Sequence, residues 1–211
     1  MIACSLNPEA RIVDITKNNE YEKYLHRCLV GLPSKRYKKR IAYLKEAISR
    51  DFHKKILIFE KQVVGTIEYS PSKVSYYPII GKNVIVMNCI WVLRKARGHD
   101  FGTILVNDML NSESGASCFA TISLTGHWSP WFRKSQIEKL GFKPLESIVV
   151  THKTKHKDEP FSIHLVWMPT AKDARPPSWD RQKLLEGITA CIAHPLYHPQ
   201  TYKPKQIFKE Q

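Results

Sequence analysis

Hydrophobic and polar positions alternate or recur in a readable order along this chain. ARIVDIT (10–16) alternates well enough to predict a first strand. NNEYEKYLHRCLVGLP (18–33) follows with Tyr21, Tyr24, Leu25 and Cys28 on one helical face. Asn18 or Asn19 is the expected cap, and Gly31 and Pro33 the stop. SKRYKKRIAYLKEAISRDF (34–52) predicts a second helix, with Ile41, Leu44 and Ile48 as its apolar stripe and a basic opposite face. KILIFEKQVVGTIEYSP (55–71) predicts two strands joined at Lys61-Gln62, and 72–82 a loop. NVIVMNCIWVL (83–93) is β-branched and apolar on both faces, which predicts a central strand.

The second half alternates more regularly. Helix 102–113 is followed by a strand at 116–124 and by a helix over 129–142, started by Ser129-Pro130 and ended at Gly141. Strands at 143–153 and 161–169 complete the order β-α-α-β-β-β-α-β-α-β-β. That order predicts an α/β fold with a mixed, partly parallel central sheet flanked by helices. Residues 1–169 form the expected domain. Beyond Pro169 the composition becomes Pro-rich, so 170–211 is read as a C-terminal extension, with a short helix in DRQKLLEGITACIAH and an extended, mobile tail after it.

Composition changes this picture little. The chain has 211 residues, enough for one substantial core. No apolar run is long enough for a membrane helix, and the N-terminus lacks a signal-peptide pattern. The five cysteines (Cys4, Cys28, Cys89, Cys118, Cys191) are odd in number and widely spaced, which points to a reducing, cytoplasmic setting. Charge matters more: 33 Lys and Arg against 19 Asp and Glu give a formal +14. Such a surface attracts phosphorylated cofactors, acidic partners or nucleic acid. No RNA-binding motif appears, so nucleic acid stays an unsupported alternative.

The chemistry centres on RKARGHDFG (94–102), a basic loop between a predicted strand and a helix. A helix start there leaves backbone N–H groups without intrahelical acceptors and with partial positive charge, a setting for a diphosphate. Arg97 adds full charge and a fork of donors. Asp100 either repels a phosphate or caps the helix, and its carboxylate predicts weakened binding.

These residues resemble the GNAT superfamily of acyl-CoA-dependent N-acyltransferases, over residues 10–169. Arg97-Gly98-His99-Asp100-Phe101-Gly102 is similar to that family's Arg/Gln-x-x-Gly-x-Gly/Ala loop, with Asp100 where its first glycine is usual. KLGF (139–142) is a second family-like piece, and ISL, WF and LVWMPTAKDARPPSW resemble a YoaP-like branch. The resemblance implies acetyl-CoA as co-substrate and an amine of a small molecule or protein as acceptor, with no metal. It assigns Ile90, Trp91 and Val92 to the pantetheine arm, and Arg97, Gly98, His99, Asp100, Phe101, Gly102 and Thr103 to the diphosphate. A backbone N–H near Ile90 is the implied oxyanion donor.

Acyl transfer to an amine needs a neutral nucleophile, a polarised carbonyl and a proton for the departing thiolate. In such proteins a Glu in or near the strand at 83–93 is a common base; Asn88 and Cys89 stand there. The usual Tyr acid is replaced by Ile137. Glu68 is a substitute base or a solvated strand residue, and Ser135 a cofactor contact or a surface polar group. His127 and His164 either titrate or are structural. The aromatics of HWSPWF (127–132), with Tyr69, Tyr76 and Tyr77, line an acceptor pocket or pack a core. Trp128 and Trp131 share a helical face if the helix starts early. Cys191, His194 and His198 have zinc-ligand spacing without an evident fourth ligand. A non-catalytic module that binds CoA or nucleic acid is the alternative function.

Overall fold

The computed structural model describes residues 10–17, 19–26, 37–154, 156–199 and 205–211. The chain forms two compact units, residues 1–70 with 87–114, and residues 71–86 with 115–211.

In the first unit, β1 (Ala10–Asp14) pairs antiparallel with β2 (His53–Phe59), and β2 with β3 (Gln62–Pro71). β5 (Val84–Val92) lies next to β3 and contributes Met87–Val92 to this unit. The β2–β3 turn is Glu60-Lys61, both with positive φ, so the tight hairpin forms without a favoured Asn-Gly pair. Side chains alternate between the two faces of the sheet. α1 (Glu22–Leu25) and α2 (Lys38–Ile48) cover one face, and α3 (Phe101–Ser112) covers the other. α3 approaches closely at Gly65, where a Cβ would meet Leu105 Cδ1 at 3.2 Å and Leu57 Cβ at 3.3 Å. Ile56, Leu57, Ile67, Met87 and Leu105 are closed to solvent and form the core.

Two helix expectations shrink here. Among the described part of 18–33, only Glu22–Leu25 is α-helical, preceded by a 3-10 turn at Asn19–Tyr21. Asn18, Cys28, Gly31 and Pro33 lie outside the described residues. α2 starts at Lys38, and its buried positions are Arg40, Leu44 and Ala47, so the inward face carries a cation beside its apolar residues.

In the second unit, Val84–Val86 of β5 run parallel to Cys118–Ala120 of β6 (Cys118–Thr125), a ladder of those three registered pairs. β6 pairs antiparallel with β8 (Phe161–Pro169), and β8 with β7 (Lys143–His152). The sheet is thus mixed and partly parallel, as expected. Phe119, Ile122, Ile163, Leu165 and Val166 form this unit's core.

Three expectations are corrected in the second unit. The segment 72–82 contains β4 (Ile79–Ile80), paired with β9 (Ser178–Trp179). The helix over 129–142 is only α4 (Lys134–Lys139). Before it, Phe132 adopts φ 52° and its carbonyl accepts from Leu124 N–H at 2.7 Å, so this stretch serves the sheet instead of a helix. Trp128 and Trp131 therefore share no helical face. Gly141, with φ 97°, does stop α4.

The C-terminal segment is also not an extended tail to its end. Asp180 caps α5 (Arg181–Glu186) by accepting from Lys183 N–H at 3.1 Å, and β10 (Phe208–Glu210) adds antiparallel to β7. No helix among the described residues is long and apolar enough to cross a membrane.

Candidate active site

The end of β5 leads into the basic loop. Leu93 N–H donates to Val64 C=O at 2.8 Å, which ties the strand's exit to β3. Arg94–Ala96 make one 3-10 turn, pinned by buried Ala96. The chain then extends at Arg97 (φ −73°, ψ 158°) and turns through Gly98 (φ 89°) and Asp100 (φ 54°, ψ 26°) into α3. Gly98 is needed for its backbone conformation, because a Cβ there would meet open space.

Ile104 N–H to Asp100 C=O, at 3.1 Å, is the first helical bond of α3. The amides of Phe101, Gly102 and Thr103 therefore precede the helical ladder. Among the described residues none of them, nor the amide of Gly98, has a protein acceptor. Asp100 holds the cap position, yet its carboxylate accepts the Thr103 hydroxyl at 2.8 Å, not a backbone amide. Arg97, Gly98, His99 and Asp100 are exposed, Phe101 is buried, and Gly102 and Thr103 are half-buried. His99 stacks on Phe101 (centroids 5.0 Å apart) and approaches Phe59 at 4.9 Å. Lys95 Nζ donates to Gln62 Oε1 on the hairpin. The loop is thus braced by aromatic and polar contacts while its amides stay available. Along β5, burial is complete from Val84 to Cys89 and lapses to half-buried at Ile90, Trp91 and Val92.

The acid–base candidates land differently. Glu68 is buried on the α2 face. Its Oε1 accepts from Arg40 Nη2 at 2.5 Å and lies 2.9 Å from Lys54 Nζ. Burial pushes the carboxyl up, but the two cations outweigh it and hold it at about 2. Such a carboxylate is a weak proton acceptor at neutral pH. Asn88 is fully buried, donating its amide N–H to Ser70 Oγ at 2.9 Å, and Cys89 is buried. Ser70 in turn bonds Tyr43, whose phenol is pushed up by burial. Ser135 is exposed on α4, and Ile137 is buried.

Arg40, Lys54, Tyr43 and Ser70 escaped notice in the sequence. A signal existed for Arg40, which stands four before Leu44 and seven before Ala47 on one helical stripe.

The predicted aromatic pocket divides. Tyr76, Tyr77 and Phe132 gather around His194 in the second unit, with Tyr77 Oη 2.7 Å from His194 Nε2. Tyr69 belongs to the first unit, where it stacks on His53. Trp128 is 46% exposed between His127 and His156, with centroids 3.9 and 4.1 Å away, and Trp131 is buried. His127 is held down to about 4 by burial and by His152. His164 is lowered by burial and meets Thr125 Oγ1 at 2.9 Å.

No group of three or more His, Cys, Asp or Glu among the described residues is placed to hold a metal. His194 Nδ1 accepts from Leu196 N–H at 3.0 Å and its Nε2 faces Tyr77, so both ring nitrogens serve the fold.

No protein-family model and no curated protein matches the chain. Solved structures do. An aminoglycoside 6′-N-acetyltransferase complexed with coenzyme A superimposes with a TM-score of 0.55 at 16% identity, over 79% of this chain and 99% of that one. The aminoglycoside 6′-N-acetyltransferase from Enterococcus faecium gives 0.53 at 16% identity, over 79% and 99%. A structure assigned to the GNAT acetyltransferase family, from Desulfovibrio desulfuricans, gives 0.52 at 11% identity, over 77% and 99%. The mixed sheet, the β5–loop–α3 connection and these superpositions together give the chain the GNAT acetyltransferase fold.

Proposed function

We propose that this chain is an acetyl-CoA-dependent N-acyltransferase, acting on an amine of a small molecule or protein. One observation carries the reading: the amides of Gly98 and Phe101–Thr103 lack protein acceptors beside Arg97, at the start of a twelve-residue helix in a GNAT fold. In this reading the amides of Gly98 and Phe101–Thr103 hold a diphosphate, aided by the α3 dipole and the Arg97 guanidinium. The main chain at the half-buried residues Ile90, Trp91 and Val92 takes the pantetheine arm, and an N–H near Ile90 polarises the acyl carbonyl. Bound acetyl-CoA supplies the acyl group and the thiolate that leaves. Glu68 acts through its ion pairs, keeping α2 on the sheet, rather than as a base. Asn88 and Cys89, buried on opposite faces of β5, help to position the strand, and Ser135 takes no assigned proton step. Rate then comes chiefly from holding amine and carbonyl in contact, with the proton passing to solvent. The odd number and wide spacing of the five cysteines support a cytoplasmic setting.

A thermal-shift titration tests cofactor use. CoA and acetyl-CoA are expected to raise the melting midpoint by mass action, and Arg97→Ala to diminish the rise. No rise for the wild type sinks the proposal. Thiol release over an amine panel then tests turnover. The second reading, a CoA-binding module without turnover, draws on Ile137, buried in place of a proton donor, and on the ion-paired Glu68. CoA-dependent stabilisation with no thiol release across the panel favours that second reading.

A further inference from the structure

The face of the first unit opposite α3 carries a groove of about 400 Å³, between α1 and the β2–β3 hairpin. Arg11, Ile58 and Val63 occupy neighbouring register positions on β1, β2 and β3, so their side chains share that face. α1 and the turn before it bring Tyr21, Lys23 and Tyr24 over them, and Lys61 closes the end from the hairpin turn. Ile58 packs with Tyr21 and Tyr24, whereas its neighbour Phe59 packs with His99 and Phe101. The groove and the 97–103 loop are therefore on opposite sides of the sheet.

Its chemistry is one-sided. Arg11, Lys23 and Lys61 line the groove, and among the described residues none of them has a carboxylate partner. Arg11 Nη2 donates to the Tyr21 phenol at 2.5 Å and its guanidinium lies 5.8 Å from that ring's centroid. Lys23 Nζ stands 5.2 Å from the Tyr24 centroid. Glu20, beside the groove, bonds the Tyr21 hydroxyl. The lining thus offers cations for an anion, two tyrosine rings, and an apolar floor of Ile58 and Val63. That combination suits a planar aromatic group carrying phosphate, since rings stack on bases and Arg and Lys hold phosphate oxygens. The volume suits one small molecule rather than a run of polymer, as ligand pockets span about 300–1,000 Å³.

We infer that this groove is a second, separate binding site, for a nucleoside monophosphate. The base lies against Tyr21 and Tyr24, and the phosphate meets Arg11, Lys23 and Lys61. The inference goes beyond the acyltransferase reading and does not rest on it.

Calorimetric titration of the full chain with AMP tests it. Saturable one-to-one binding is expected, weakening as salt rises. Arg11→Gln and Lys61→Gln should each weaken it about tenfold, as the loss of a charge-assisted phosphate bond would. Arg97→Ala should leave it unchanged while reducing CoA binding. Melting midpoints near wild type show that the groove variants are folded, and Lys23→Gln on the helix is the alternative if either is not. Four results overturn the inference: no saturable AMP binding; binding that Arg97→Ala removes; displacement by inorganic phosphate as effectively as by AMP; or binding of an oligonucleotide without binding of AMP.

Discussion

Arg40 and Glu68 meet at 2.5 Å with both side chains nearly closed to solvent, joining the inward face of α2 to the middle of β3. Lys54 adds a second cation 2.9 Å from the same carboxylate oxygen. Breaking such a cluster leaves uncompensated buried charge. Glu68→Gln is expected to cost about 3–5 kcal/mol of stability, read by urea unfolding. The pH dependence follows from the depressed carboxyl. Its stabilisation is complete above the ordinary value of 4.5 and is lost as pH falls toward about 2. Wild type should lose stability across that window, and Glu68→Gln should lose less of it.

His127 predicts a second acid window, at higher pH. The folded imidazole protonates only near 4, against 6.5 unperturbed. Between those values the unfolded chain takes up the proton and the folded chain resists it, so stability declines as pH falls below about 6.5. His127→Phe removes that titration. Its stability between pH 6.5 and 4.5 should be flatter than wild type, as followed by chemical unfolding at fixed pH values.

If the 97–103 loop holds CoA as proposed, Asp100 bears on its affinity twice. Its φ of 54° is a conformation glycine adopts without cost, and its carboxylate adds negative charge beside amides that would meet phosphate. Asp100→Gly is expected to tighten CoA binding by about three- to tenfold, with Asp100→Asn between it and wild type because it removes charge alone. Calorimetric titration with CoA ranks the three. Equal affinities would show that Asp100 has no bearing on the proposed diphosphate contact.

Tyr77 and His194, 117 residues apart in the chain, meet in a buried hydrogen bond. His194 Nδ1 accepts from Leu196 N–H, so Nε2 carries the proton and donates to the phenol. Tyr77→Phe removes that buried bond and should cost about 0.5–1.5 kcal/mol. Limited proteolysis should then cut 188–199 sooner than in wild type.

The elements that the sequence determined are those whose signal is local. β5 is apolar on both faces and lies between two strands, so its residues declare a central strand without reference to distant ones. The loop from Arg97 into α3 was legible because glycine, basic charge and an amphipathic run sit next to one another. What tertiary structure decided depends on distant partners. Ser129-Pro130 reads as a helix start, but Leu124 takes the Phe132 carbonyl for the sheet and that competing bond wins. A Pro-rich end reads as a loose tail, yet Phe208 finds His152 across 56 positions of chain and closes the sheet edge. Glu68 reads as a solvated strand residue or a base. Only the approach of α2 and β2 put two cations on it, and charge interactions through a low-dielectric interior have no sequence spacing to betray them.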